Sequence, residues 1–108
     1  MWLFVSGGFL SIVAHRHQPD DLLVRARHPD HINAVFPEAQ VIHLGAADYP
    51  YRTVLPREAV QEAISAYLSS MAYDNFKNSI PDDDYHDVCL DVWRTMWAYG
   101  NRNRRGGV

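Results

Sequence analysis

The stretch WLFVSGGFLSIVAH, residues 2–15, decides how this chain begins to fold. Its two halves, 2–5 and 9–15, are rich in aromatic and β-branched residues, as β-strands usually are. Between them lies Ser6-Gly-Gly8, and glycine can supply the positive φ that a tight hairpin commonly needs. The stretch therefore predicts an N-terminal β-hairpin.

The strand pattern continues beyond the hairpin. In the segment LLVRAR, residues 22–27, apolar positions share one face while Leu23, Arg25 and Arg27 share the other, which predicts a half-buried strand. Three more elements are predicted before residue 56: a short helix at 29–36 and strands at 41–44 and 51–55.

The second half of the chain has a helical period. From Pro56 to Met71, apolar residues recur at i, i+3, i+4 and i+7, the spacing of an amphipathic helix. A short helix or helical turn is predicted at 72–80, and a third helix from Asp83 or Asp84 to a glycine stop at Gly100. This order predicts an α+β fold: a mainly antiparallel sheet of about five strands in the N-terminal half, with two or three helices from the C-terminal half packed on one face.

Length and charge predict the domain organisation and disfavour one class of partner. The chain has 108 residues, enough for one domain, which we expect at 1–100, followed by a disordered basic tail at 101–108. The net charge is −3, but residues 1–100 carry seven basic and thirteen acidic groups. An acidic body repels nucleic-acid phosphates, so nucleic acid is an unfavourable partner and a basic protein suits it better.

Cysteine content and hydropathy predict the compartment. The single cysteine, Cys89, cannot form an internal disulfide, which is typical of a reducing environment. No apolar run reaches the roughly 20 residues of a membrane span, and the N-terminus lacks the basic leader of a signal peptide. We therefore expect a soluble cytoplasmic protein that does not bind membranes.

Several short strings also resemble a known group of proteins. They are GFLSIV at 8–13, LLVRAR at 22–27, ADYPYR at 47–52, YDNFK at 73–77 and VW at 92–93. Together they resemble a family of small proteins from bacteria and their mobile elements that has no assigned activity, over nearly the whole chain up to about residue 100. The resemblance implies a freestanding intracellular domain, and it implies no catalytic residue or cofactor.

Arginines on the predicted strands form the first candidate site. If their strands are neighbours, Arg25, Arg27 and Arg52 can converge and hold a carboxylate or phosphate through bidentate hydrogen bonds. Asp48 and Tyr49, in the connection before the last strand, complete this predicted ligand-binding set. The alternative is a solvated sheet face whose arginines pair with nearby acids.

Two other regions form a candidate protein-binding surface. One is a segment that mixes rings, hydrogen-bonding groups and charge, and the other is an acidic face of the last helix. The predicted partner-binding residues are Tyr73, Asn75, Lys77, Asp84, Asp87 and Asp91. The structural alternative is that the aromatic residues belong to the core and the aspartates cap a helix.

No metal, cofactor or catalytic residue is predicted. His15 and His17, and also His28 and His31, have spacings that could support zinc, but no thiolate cluster accompanies them. Cys89 lies inside a predicted helix beside apolar residues and is interpreted as a small buried hydrophobe.

Two functions follow from these candidates. The first is a non-enzymatic protein-interaction module, one form of which is an anti-CRISPR-like inhibitor of a host nucleic-acid-binding complex. Self-association as a homodimer is compatible with it, because Trp93 and Trp97 exceed what a small core buries. The second is a domain that binds or transforms a small anion on the arginine face, with His43 or Tyr49 as acid–base groups.

Overall fold

The computed structural model describes the backbone of residues 1–106 and the side chains of residues 1–102. The strands are β1 (Trp2–Val5), β2 (Gly8–Ala14), β3 (Asp21–Ala26), β4 (Ile42–His43) and β5 (Tyr51–Pro56). The helices are α1 (His31–Val35), α2 (Arg57–Ser69), a 3₁₀-helix (Lys77–Ser79) and α3 (Asp83–Gly106). The chain divides into two compact units, Met1–Tyr73 and Asp74–Val108.

All five strands form one antiparallel sheet in the order β1-β2-β3-β5-β4. The sheet lies in the N-terminal half and α2 and α3 in the C-terminal half, so the predicted α+β class is confirmed. The strand order, which the sequence leaves open, makes β3 and β5 neighbours. This adjacency brings the predicted arginines onto one row of the sheet.

The core lies on one face of this sheet. The alternation predicted for 22–27 is confirmed, since Val24 and Ala26 are fully buried. Helices α1 and α2 contact β2, β3 and β5 on the sheet. The buried core cluster consists of Leu10, Ile12, Val24, Ala26, Ile32, Phe36 and Val60. Because alternate side chains of a strand point to opposite faces, Ser11, Arg25 and Arg52 lie on the other face.

The hairpin turn uses glycine for a different reason from the predicted one. No described glycine has a positive φ, so the expectation of a left-handed glycine is wrong. Instead, α1 packs closely on the turn: a Cβ at Gly7 would lie 2.8 Å from Ala34 Cβ, and one at Gly8 would lie 2.7 Å from His31 Cβ. Close approach of the backbone to another element excludes a side chain at both positions.

Helix α3 begins as predicted but extends further. Asp82 caps its start, since the Tyr85 N–H donates to Asp82 Oδ1 at 3.0 Å. The predicted stop at Gly100 is wrong, because the helix continues to Gly106. A glycine inside a helix costs only about 1 kcal/mol relative to alanine, which the neighbouring turns outweigh.

Other sequence-based boundaries have mixed outcomes. The helix predicted at 56–71 is present as α2, and the short helix or helical turn predicted at 72–80 is present as the 3₁₀-helix. Residues 101–106 of the predicted basic tail continue α3, and residues 107 and 108 lie outside the described residues. A single domain over residues 1–100 stays a prediction. Among the described helices, none combines the length and the apolar character that a membrane span requires.

Candidate functional site

The predicted arginines share one row of the sheet. Arg25 on β3 lies directly opposite Arg52 on β5, and Ser11 on β2 lies opposite Arg25 on its other side. The Arg25 guanidinium donates to Ser11 Oγ at 2.7 Å, and Ser11 is fully buried. We call Ser11, Arg25 and Arg52 the arginine row.

Tyr49 connects the arginine row to the two remaining predicted ligand-binding residues. Its buried ring lies 4.6 Å from the Arg25 guanidinium carbon and 4.4 Å from that of Arg27. Arg27 also pairs with Asp48 at 3.1 Å, although both side chains are exposed and such pairs stabilise weakly. The structure therefore brings together all five residues predicted to bind a ligand.

The arginine row carries uncompensated positive charge. Within the described part of the chain, neither Arg25 nor Arg52 forms an ion pair with a carboxylate. The Nε atoms of both side chains are buried and have no hydrogen-bond acceptor. Like charges directly opposite each other on neighbouring strands repel, so this arrangement favours a negatively charged neighbour.

The structure separates His43 from this row. His43 pairs with Tyr51 in the register of β4 and β5, and its ring stacks on that of Tyr51 at 4.8 Å. Tyr51 packs against the core, so His43 lies on the opposite face of the sheet from Arg52. The predicted use of His43 as an acid–base group beside the arginines is therefore wrong.

Tyr73 has a structural partner in its own unit. Its hydroxyl lies 3.3 Å from that of Tyr67, which in turn accepts a hydrogen bond from the Ser6 N–H at 3.1 Å. The hydrogen bond to Tyr67 and partial burial raise the pKa of Tyr73. For Tyr67, burial raises the pKa, but the hydrogen bonds with Ser6 and Tyr73 outweigh it and hold the pKa below its usual value. These contacts fix α2 to the β1–β2 turn.

Asn75 and Lys77 contact residues of the second unit. Asn75 Oδ1 accepts a hydrogen bond from the Asn78 N–H at 3.1 Å and so fixes the turn that leads into the 3₁₀-helix. The Lys77 ammonium lies 4.4 Å from the centre of the Trp93 ring, a cation–π distance. Their predicted role in binding a partner stays a prediction.

The three predicted aspartates on α3 are all exposed. Asp87 lies 3.3 Å from the His86 ring, and Asp91 lies 3.5 Å from the Arg94 guanidinium. Asp84 forms no ion pair with another described residue. Among the three, Asp84 is therefore the acid whose charge is least compensated.

Large apolar side chains of α3 are exposed to solvent. Tyr85 and Cys89 in the first turns are buried. The exposed set, with exposures between 50% and 60%, consists of Val88, Trp93, Met96, Trp97 and Tyr99. Exposed apolar side chains concentrated on one element mark an interaction surface.

Histidine nitrogens are used in local structure. His15 Nδ1 accepts hydrogen bonds from the N–H groups of His17 and Gln18, and His31 Nδ1 accepts one from Phe9. Among the described residues, no three His, Cys, Asp or Glu side chains are grouped so that they could hold a metal ion. Burial raises the pKa of the Cys89 thiol, which disfavours the nucleophilic thiolate.

Comparisons with other proteins add no relative. A scan against protein-family models, a search of curated proteins and a search of solved structures each returned no match. The resemblance to small bacterial and mobile-element proteins stays a prediction.

Two features of the site are not evident from sequence reasoning. Ser11 belongs to the arginine row, and the only signal is a small polar residue inside an otherwise apolar strand. Tyr99 lies on the exposed side of α3, and its spacing of 11 residues from Val88, about three helical turns, could have revealed their shared face.

Proposed function

We propose that this chain is a non-enzymatic protein-interaction module whose recognition element is α3. The observation that carries this proposal is the exposed apolar set on α3, five large side chains that are at least half exposed, of which Val88 and Tyr99 share one edge of the helix. Burying such side chains against a partner contributes about 25 cal/mol for each Å² of apolar surface.

The partner we propose is a second copy of the same chain. One edge of α3 carries residues spaced by four, four, three, four and three positions: Asp84, Val88, Val92, Thr95, Tyr99 and Arg102. We call these residues the α3 stripe. Asp84 and Arg102 are 18 residues apart, five helical turns, so they lie on the same edge of the helix.

The α3 stripe is complementary to itself when two copies run antiparallel. The stripe has an acid at one end, apolar residues in the middle and a base at the other end. Antiparallel pairing therefore places Asp84 opposite Arg102 of the second copy. The same arrangement places Val88 opposite Tyr99 of the second copy. In a two-fold symmetric interface each such contact occurs twice, so every favourable pair contributes twice.

The charge order along α3 favours this partner over a uniformly basic one. Residues 83–91 contain four aspartates and neither lysine nor arginine, whereas residues 92–106 contain four arginines and no acid. The helix dipole accounts for such charges only within the first and last turns. The second half of α3 is basic and would repel a basic partner, so an anti-CRISPR-like inhibitor is less favoured on this helix.

Sedimentation equilibrium over a range of concentrations tests the proposal. We expect the intact chain to form dimers and the double variant Val88→Asn, Tyr99→Asn to dissociate, with Kd raised by about 100-fold or more, since four half-exposed apolar groups are lost. The matched control is Ile42→Asn with Leu44→Asn, two exposed apolar residues outside α3, which should leave Kd unchanged. An intact chain that stays monomeric at millimolar concentration would overturn the second copy as partner.

A further inference from the structure

The structure assigns a second role to the other unit: we infer that the arginine row, Ser11, Arg25 and Arg52, binds a small oxyanion of the phosphate type. All three residues lie within Met1–Tyr73, on β2, β3 and β5. The inference does not depend on α3 or on self-association.

The first argument is electrostatic. Arg25 and Arg52 are directly opposed on neighbouring antiparallel strands, where Cβ atoms lie only about 5 Å apart. No carboxylate of the described residues pairs with either guanidinium. The remaining basic neighbour, Arg27, is paired with Asp48, so that acid does not compensate the row. A bound anion would relieve the repulsion between the two arginines.

The second argument is the number of free donors. Both Nε–H groups are buried without an acceptor, and a guanidinium offers five N–H donors in a rigid fork. The Arg52 guanidinium donates no hydrogen bond to any described residue, and the Arg25 guanidinium donates one, to Ser11. Buried donors normally have partners, so the row lacks acceptors rather than donors.

The third argument is that Arg25 is held in place. Its guanidinium donates to the buried Ser11 Oγ at 2.7 Å and packs 4.6 Å from the centre of the Tyr49 ring. Arg27 packs against the same ring at 4.4 Å. A side chain that is already ordered loses little conformational entropy when a ligand binds.

The chemistry of the donors selects the ligand class. Two guanidinium forks on neighbouring strands can each donate two hydrogen bonds, and the Ser11 hydroxyl has a further proton to donate. A carboxylate has two oxygens and fits a single fork. A phosphate group presents at least three oxygens and can accept from both arginines.

The test uses inorganic phosphate as the probe, with sodium chloride at the same ionic strength as the reference. Phosphate should raise the melting temperature of the intact protein above its value in chloride, and the ³¹P NMR signal of phosphate should broaden in its presence. Arg52→Gln should weaken phosphate binding by about ten- to a hundredfold, which corresponds to the loss of one charge-assisted hydrogen bond. Arg16→Gln, which removes an exposed arginine outside the row, should leave binding unchanged.

The same variant also reports on the free protein. Without phosphate, Arg52→Gln should melt at or above the temperature of the intact protein, because it removes the repulsion with Arg25 and breaks no hydrogen bond. Equal stabilisation by phosphate in Arg52→Gln and in the intact protein would overturn the site. An unbroadened ³¹P signal with the intact protein would overturn it without reference to any variant.

Discussion

At the scale of single residues, Gly8 shows that glycine can be required by a neighbouring element rather than by its own backbone angles. Its φ is not positive, but His31 of α1 occupies the space that a side chain would need. The Phe9 N–H donates to His31 Nδ1 at 3.1 Å, so the imidazole is fixed over the turn. The close packing of α1 on the hairpin therefore depends on the small size of Gly8.

Two glycine substitutions should consequently have opposite effects. Gly8→Ala should destabilise the protein by about 1–3 kcal/mol, because His31 must move to admit the methyl group. Gly100→Ala is the matched control: nothing lies within 4 Å of its added Cβ, and it should stabilise α3 by about 0.5–1 kcal/mol. Urea unfolding of both variants measures the difference. If Gly8→Ala is as stable as the intact protein, the packing of His31 on the turn is incorrect.

Cys89 provides a chemical test of burial in α3. Because burial raises the pKa of its thiol, a smaller fraction is thiolate in the folded protein than in the unfolded chain at the same pH. Labelling by a thiol reagent at pH 8 should be at least about tenfold slower in the native protein than in guanidinium chloride. The labelling rate of the native protein should rise as the pH is raised above the ordinary pKa of a cysteine thiol. Equal rates in both states would contradict a buried Cys89.

Single-residue predictions from sequence were most successful where strand alternation applies. The placement of Arg25 opposite the core follows directly from the period of two, and the structure confirms it. The buried hydroxyl of Ser11 could not be predicted, because its importance arises from Arg25 on a neighbouring strand. Sequence reasoning about one strand does not identify the residue that lies beside it.

At the scale of elements, the pairing of β3 with β5 creates the arginine row. Hydrophobic alternation predicts which residues of each strand share a face, but it does not give the strand order. Here the connection between β3 and β5 contains α1 and β4, and β4 pairs at the outer edge of the sheet. The convergence of Arg25 and Arg52 therefore became evident only from the register.

In helix α3, too, the sequence predicts which residues share a face but does not predict what surrounds that face. Its apolar periodicity predicts that Val88, Val92 and Met96 are neighbours on the helix, but not whether another element covers them. The structure leaves Val88 and Met96 more than half exposed. The predicted helix end at Gly100 is wrong for a related reason. Glycine commonly ends a helix by adopting a left-handed conformation, and Gly100 does not adopt one.

At the scale of the whole molecule, the sequence predicted the fold class but left the partner open. Strands that precede helices, without regular alternation, indicate an α+β arrangement whatever the strand order. Net charge is a weaker guide, because the value of −3 hides both the basic arginine row and the division of charge along α3. The proposed interactions depend on where these charges lie, and the structure supplies those positions.

The two proposed sites use residues of different units. Phosphate binding involves only residues of Met1–Tyr73, whereas self-association involves α3 in Asp74–Val108. A variant of the arginine row should therefore leave the dimer Kd unchanged, and a variant of the α3 stripe should leave phosphate binding unchanged.

The central claim is the antiparallel pairing of α3, and a charge-exchange experiment tests it most directly. Asp84→Arg and Arg102→Asp should each weaken self-association, because each variant places like charges opposite one another in both halves of the symmetric interface. In a heterodimer of the two variants, formed in their equimolar mixture, both charge pairs again join opposite charges. Sedimentation equilibrium should then detect heterodimers in the mixture at concentrations where each variant alone is monomeric. If the mixture associates no better than its components, the antiparallel pairing of α3 is wrong.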